Sequence, residues 1–331
     1  MKHYIYIKGI MLLAAVLLAA CNGSDDVSDL PDGSGSAKAD EIRLNADVWH
    51  VMEGTRATTI DGGTLTSGSF MASSYVENTN TKYINPVQVD YVTDKWVWSN
   101  GKHYWPATEN LDFFAYLPAT LPSYIAADPA LTYTAEHNVT FTCSSLPMTY
   151  SSATPTEGQG SSLKEFMFGM ALAQNKGNAG TGVHLTFQHP FARIKLQLAA
   201  SHPNVTINSI TFRGIKNNGS FTYNHSASTS TWTPSGVATD FVLSLTGEAA
   251  VFENNPATPT QIGEYYIMIP QNWAGEIVVN AVCLFWGEKK NYPSLTTTIP
   301  TTWQPGYSYT YTFNISPDDL IVNISKFTEQ W

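Results

Sequence analysis

The chain has 331 residues, 43% apolar and 13% charged, a balance that excludes disordered and fibrous classes and describes a core-forming protein. Its formal charge is −10, and beyond the first 20 residues, which hold two lysines and no acid, the balance falls to −12. That argues against a nucleic-acid partner, which needs a basic face, and three cysteines are too few for a disulfide-built scaffold.

At the amino end, Lys2 and Lys8 are followed by an apolar run of 12 residues, Gly9 to Ala20. A membrane span needs about 20 residues, so residues 1–20 read as a secretory signal peptide. The run ends Leu18-Ala19-Ala20-Cys21, which resembles a lipobox, where signal peptidase II cuts ahead of a lipidated cysteine. The alternative is a chance cysteine among small residues. Acyl chains on Cys21 would anchor the protein to a membrane. Residues 21–40, rich in Gly, Ser and Asp without apolar periodicity, read as a flexible tether. Asp25-Asp26 resembles an acidic surface-export signal or is ordinary linker acidity. Cys143 and Cys283 sit inside apolar runs and are expected to be buried and inert.

From residue 41 onward, period-2 alternation dominates. Ile42, Leu44, Ala46 and Val48 share one face of a strand. Trp96 to Trp105 carries Asn100-Gly101, a strong hairpin signal. Ser161 to Ala173 is open between a short helix and an irregular strand. Gln174 to Gly182 reads as an inter-domain linker. After it the parity of the apolar positions switches at His189-Pro190-Phe191, from Val183, Leu185 and Phe187 to Ala192, Ile194, Leu196 and Leu198. A proline cannot donate to a ladder, so a bulge or strand crossing is expected there. Ile277 to Trp286 is nearly continuous apolar sequence and reads as a strand covered on both faces. Tyr307 to Ile315 alternates cleanly as a half-buried strand. The expected organisation is all-β: a sandwich over residues 41–172, a linker over 173–182 and a second sandwich over 183–331.

Catalytic and cofactor motifs are missing. The chain contains no Gly-x-Ser-x-Gly elbow, His-Glu-x-x-His, phosphate loop or dinucleotide fingerprint. His184 and His189 fall on opposite faces of a regular strand, whereas zinc ligands must converge. Asp318-Asp319 lies in Ser-Pro-Asp-Asp, a turn signature. No enzyme, cofactor or metal site is therefore expected, although a site assembled from distant strands stays open. Trp96 and Trp98 share a side of one strand and suit either a core or a sugar-stacking platform.

Several phrases in order resemble the fimbrillin family, the type V pilus proteins of anaerobic gut and oral bacteria. They are Tyr104-Trp-Pro106 with Leu111-Asp-Phe-Phe-Ala-Tyr-Leu-Pro118, then Phe187-Gln-His-Pro-Phe-Ala-Arg-Ile194. Tyr265-Tyr-Ile-Met-Ile-Pro-Gln271 and Trp303-x-x-Gly306-Tyr-Ser-Tyr-Thr-Tyr-Thr-Phe313 complete the set. The resemblance implies two tandem Greek-key, transthyretin-like β-sandwich domains and export as an outer-membrane lipoprotein. It also implies polymerisation with other pilin subunits into a cell-surface fimbrium, by donor-strand exchange after cleavage by an arginine-specific protease. On this chain the cut falls at Arg56-Ala57, in the Gly-containing stretch Glu53-Gly-Thr-Arg-Ala-Thr-Thr59; a solvated loop arginine is the alternative. The strand removed would carry Ile42, Leu44, Ala46 and Val48, whose burial is worth about 5–8 kcal/mol. A candidate donor is the terminal strand with Leu320, Val322 and Ile324, which equally suits completion of its own domain. The alternative function is a permanently anchored surface lipoprotein, an adhesin binding glycans or host ligands.

Overall fold

The structure is a computed structural model that describes residues 41–48, 63–126, 129–132, 137–154, 159, 164–253, 256–317 and 319–330. Residues 1–40, with Cys21, and residues 49–62, with Arg56 and Ala57, lie outside the described residues. In chain order the strands are β1 (Leu44–Val48), β2 (Gly63–Thr64), β3 (Ser69–Val76), β4 (Lys82–Val92), β5 (Lys95–Trp98), β6 (Leu111–Leu117), β7 (Ala130–Thr132) and β8 (Asn138–Cys143). Next come β9 (Thr149–Ser151), β10 (Met167–Gln174), β11 (Val183–Gln188), β12 (Ala192–Leu198), β13 (Asn204–Ile215), β14 (Asn218–Asn224), β15 (Thr229–Ser235) and β16 (Thr239–Ser244). The last are β17 (Val251–Phe252), β18 (Thr260–Met268), β19 (Asn272–Trp273), β20 (Glu276–Phe285), β21 (Glu288–Thr298), β22 (Thr301–Thr302), β23 (Tyr307–Ile315) and β24 (Leu320–Gln330).

These strands form an all-β sandwich architecture in which each sheet has a reason in its side-chain pattern. The first sheet has eight strands in the order β2-β1-β11-β10-β6-β3-β4-β5. Its centre is β6, Leu-Asp-Phe-Phe-Ala-Tyr-Leu, buried at every position because both faces are covered. Leu111, Phe113, Ala115 and Leu117 face one core, with Ile42, Phe70, Val89 and Phe187. Phe114 and Tyr116 face another, with Phe141, Phe168 and Phe221. Asp112 is also buried, and its Oδ1 accepts the Ala173 amide at 2.6 Å, beside a register shift between β10 and β6. Gly169 permits the close approach of β10 to β11: a Cβ there would meet the Thr186 carbonyl oxygen at 2.9 Å.

A four-stranded sheet, β18-β12-β23-β24, and a larger one, β21-β20-β13-β16-β9, enclose the carboxyl-terminal core. The smaller sheet holds Tyr307–Ile315 between two neighbours, parallel to β12 and antiparallel to β24. A further sheet, β15-β14-β8-β7, mixes early and late chain, and β9 pairs in parallel with β16.

Several sequence expectations meet the structure differently. Gln174 to Gly182 joins β10 to β11, antiparallel neighbours in the first sheet, so it is a connection inside that sheet and not a junction between sheets. The chain changes sheet at His189-Pro190-Phe191, between β11 and β12, and the parity switch marks a strand crossing. The open stretch before residue 174 ends in strand β10. Asn100-Gly101 turns the chain without making a hairpin: Tyr104 bridges Glu41 instead of returning along β5. The hairpin tip is Thr93-Asp94, both at positive φ (49° and 61°), between β4 and β5. In β20 buried and half-buried residues alternate, so it is covered fully on one face only.

Candidate functional site

The strand whose removal the family resemblance implies is seated in the first sheet. Leu44 to Val48 pair in parallel with Val183 to Phe187. Ile42, Leu44, Ala46 and Val48 are at most 3% exposed and join the core beneath the sheet. Asn45 and Asp47 point the other way, and Asp47 meets His184 of β11 at 2.7 Å. The alternation read from sequence is thus the alternation between core and surface.

On its outer edge, among the described residues, β1 and the two residues ahead of it are bonded near the two ends of the segment. Asp47 and Val48 pair with Thr64 and Gly63 of β2, and the Leu65 amide donates to the Ala46 carbonyl at 3.0 Å. At the other end the Ile42 amide donates to the His103 carbonyl at 2.7 Å. The Trp98 indole N–H donates to the Ile42 carbonyl at 3.1 Å, and Lys102 lies 3.6 Å from Glu41. Between the two ends a groove of about 1140 Å³ opens, walled by residues 41–47 on one side and residues 91–98 of the β4–β5 hairpin on the other. The Trp98 and His103 contacts join residues more than 50 positions from β1, and no motif announces them.

Trp96 and Trp98 are 9% and 5% exposed. Trp96 packs on Phe70 with ring centroids 4.6 Å apart, and Trp98 meets the His103 ring edge-on at 4.8 Å. They are core residues that line the groove from below, not a displayed stacking platform.

At the carboxyl end, Leu320 and Val322 are 4% and 9% exposed and pack in the carboxyl-terminal core, with Ile324 at its margin. Leu320 to Ile324 pair antiparallel with Ile315 to Tyr311 of β23. The strand therefore completes its own sheet here. The Ser316–Asp319 turn that leads into it is closed by the Asp319 amide donating to Ser316 Oγ at 3.0 Å, as the turn chemistry implies.

The two histidines of the crossing diverge. His184 is exposed beside Asp47, while His189 is buried with its Nδ1 2.7 Å from Glu165. Among the described residues no group of three or more His, Cys, Asp or Glu side chains is placed to hold a metal ion. Burial pushes the Cys143 thiol up to about 12 and that of Cys283 to about 11, which keeps both protonated and unreactive.

The chain is an all-β sandwich protein in which β1 is buried beside β11 and β24 forms the edge of its sheet. The sequence profile of the fimbrillin-like family matches residues 55–331, and the chain belongs to that family. Among solved structures it is similar to a fimbrial protein from Bacteroides vulgatus, with 15% identity and a TM-score of 0.55 over 87% of this chain and 98% of that one. It is also similar to a candidate cell adhesion protein from Bacteroides uniformis, with 15% identity and a TM-score of 0.50 over 87% and 98% of the two chains. At that identity the likeness is one of fold. No curated protein matches the chain.

Proposed function

We propose that the protein is a structural subunit of cell-surface fimbriae, exported as a lipoprotein through Cys21 and processed between Arg56 and Ala57. Removal of the segment ahead of Ala57 takes away Ile42, Leu44, Ala46 and Val48 and leaves an apolar slot beside β11. A strand from a neighbouring subunit fills it, supplying both main-chain pairing and side chains. Membership of the fimbrillin-like family supports assembly with other pilin subunits and a place at the cell surface.

The observation that carries this reading is the seating of β1: four core side chains on a strand zipped to β11 along one edge and, among the described residues, met on the other at Ile42 and from Ala46 to Val48, with Leu44 facing the groove. Its burial, about 5–8 kcal/mol for the four side chains, rivals the stability of a typical domain. The slot would not stay empty. A donor role for Leu320, Val322 and Ile324 requires β24 to leave β23, where those residues now fill their own core.

Amino-terminal sequencing of surface-released protein, with an unboiled SDS gel, tests the proposal. An Ala57 start together with an SDS-resistant ladder is the expected result. A lipidated Cys21 in all the material, without a ladder, overturns it in favour of the anchored adhesin.

A further inference from the structure

We infer that the segment from Trp98 to Tyr104 is a latch that holds the amino-terminal end of β1 in its sheet, with Trp98 as its positioning residue. The inference rests on the proposed assembly role only for its purpose; the latch itself is a matter of geometry. The inner edge of β1 is zipped to β11 by an unbroken parallel ladder, a pairing slightly weaker per residue than an antiparallel one. The main-chain groups of Arg43 face that ladder, since the Val183 amide donates to the Arg43 carbonyl at 2.8 Å. Alternation then turns the main-chain groups of Ile42, Leu44 and Ala46 outward.

Of these, Ala46 is met by Leu65 and Ile42 by the latch, while Leu44 faces the groove. Three contacts converge on the two residues Glu41 and Ile42. They are the Ile42 amide on the His103 carbonyl at 2.7 Å, the Trp98 indole N–H on the Ile42 carbonyl at 3.1 Å, and Lys102 on Glu41 at 3.6 Å. The first two are sheltered, because Ile42 is fully buried and Trp98 is 5% exposed. A strand leaves a sheet by unzipping from an end, so the bonds at that end govern how often it opens.

The same geometry limits what can replace β1. With Ile42 gone, the Trp98 N–H and the His103 carbonyl are left facing the groove without their partner, and an unmet buried polar group is costly. A replacing strand fits best if it sets a main-chain carbonyl and amide at that register. Trp98 thus both retains the resident strand and selects the alignment of its successor.

Hydrogen exchange read by mass spectrometry on the full, uncleaved chain tests the latch. In Trp98→Phe, which keeps the ring and removes the donor, amides of residues 42–48 should exchange about fivefold faster, while residues 111–117 in β6 are unchanged. Trp303→Phe, which removes an indole donor from the separate carboxyl-terminal core, should leave the 42–48 peptide at its original rate. Lys102→Ala, on an exposed side chain that cannot disturb the core, should accelerate the same peptide by about twofold. Unchanged exchange at 42–48 in both Trp98→Phe and Lys102→Ala overturns the latch, as does uniform acceleration across all core peptides. Because this readout needs neither cleavage nor polymer, a loosened β1 with no SDS-resistant ladder supports the latch and overturns the assembly reading instead.

Discussion

His103 ties the chemistry of one side chain to the seating of a strand. Its carbonyl accepts from Ile42, its ring packs edge-on against Trp98, and its Nε2 lies 2.9 Å from Asn100 Oδ1. Burial lowers its pKa below the usual 6.5, because the charged ring is poorly hydrated there. The sign follows: the folded state prefers the neutral ring, so this contribution to stability is complete above about pH 6.5 and is lost as pH falls through the lowered value. Thermal unfolding scanned from pH 7.5 to 5 should therefore show a steeper fall in Tm for the native protein than for His103→Gln. Equal slopes would place the acid sensitivity elsewhere. Trp96 and Trp98 teach a related lesson: two indoles on one strand face look the same in sequence whether the face is displayed or covered. Only the Phe70 and Phe187 rings across the sheet decide that the face is a core.

Strands with strict alternation were legible in the sequence, and those set by distant neighbours were not. Ile42 to Val48 declares its buried parity because its other face is wet. Tyr307 to Ile315 shows its alternation but buries Ser308 and Thr310 of the polar set as well, being covered on both faces along its first half. By contrast, the pairing of Trp98 and His103 with Ile42 spans more than 50 residues and depends on how the sheet curls. Residues 174–182 are ambiguous in sequence for a local reason. Gly and Asn mark a turn equally well whether it joins two domains or two neighbours of one sheet, and here Asn175 and Asn178 close that turn with their own side chains. The terminal strand β24 offers a test at this scale. Val322 is buried in the carboxyl-terminal core, while the adjacent Ile321 is 50% exposed on the opposite face. Val322→Asp should lower unfolding stability in urea by about 2–4 kcal/mol, from lost apolar burial and an unpaired carboxylate. Ile321→Asp should change it by less than about 0.5 kcal/mol. Comparable effects at the two positions would mean that β24 does not rest on β23 in solution.

For the whole molecule the consequential feature is that two sheets draw strands from both halves of the chain. Asn138–Cys143 pair with Asn218–Asn224, and Thr149–Ser151 pair with Val242–Ser244, so strands of the first half are built into the same sheets as strands of the second. The aromatic core beneath β8 and β14 is equally shared. Phe141 lies 4.7 Å from Phe166 and 4.8 Å from Phe221, and the Trp232 indole donates to the Pro190 carbonyl at 2.6 Å. A division at residues 173–182 would separate β10 from β11 and strip the faces of Phe141 and Phe168 from their partners. Large apolar faces uncovered together make partial unfolding nearly as costly as complete unfolding, which favours a single cooperative transition. Calorimetry of residues 41–331 should therefore give one transition whose calorimetric and van't Hoff enthalpies agree. Residues 183–331 expressed alone should be unfolded or aggregated, because the fragment exposes Phe221, Phe191 and the β13–β16 edge that β9 covers. Two separable transitions, or a soluble fragment with native-like exchange protection, would show that the shared sheets are dispensable and that each half folds on its own.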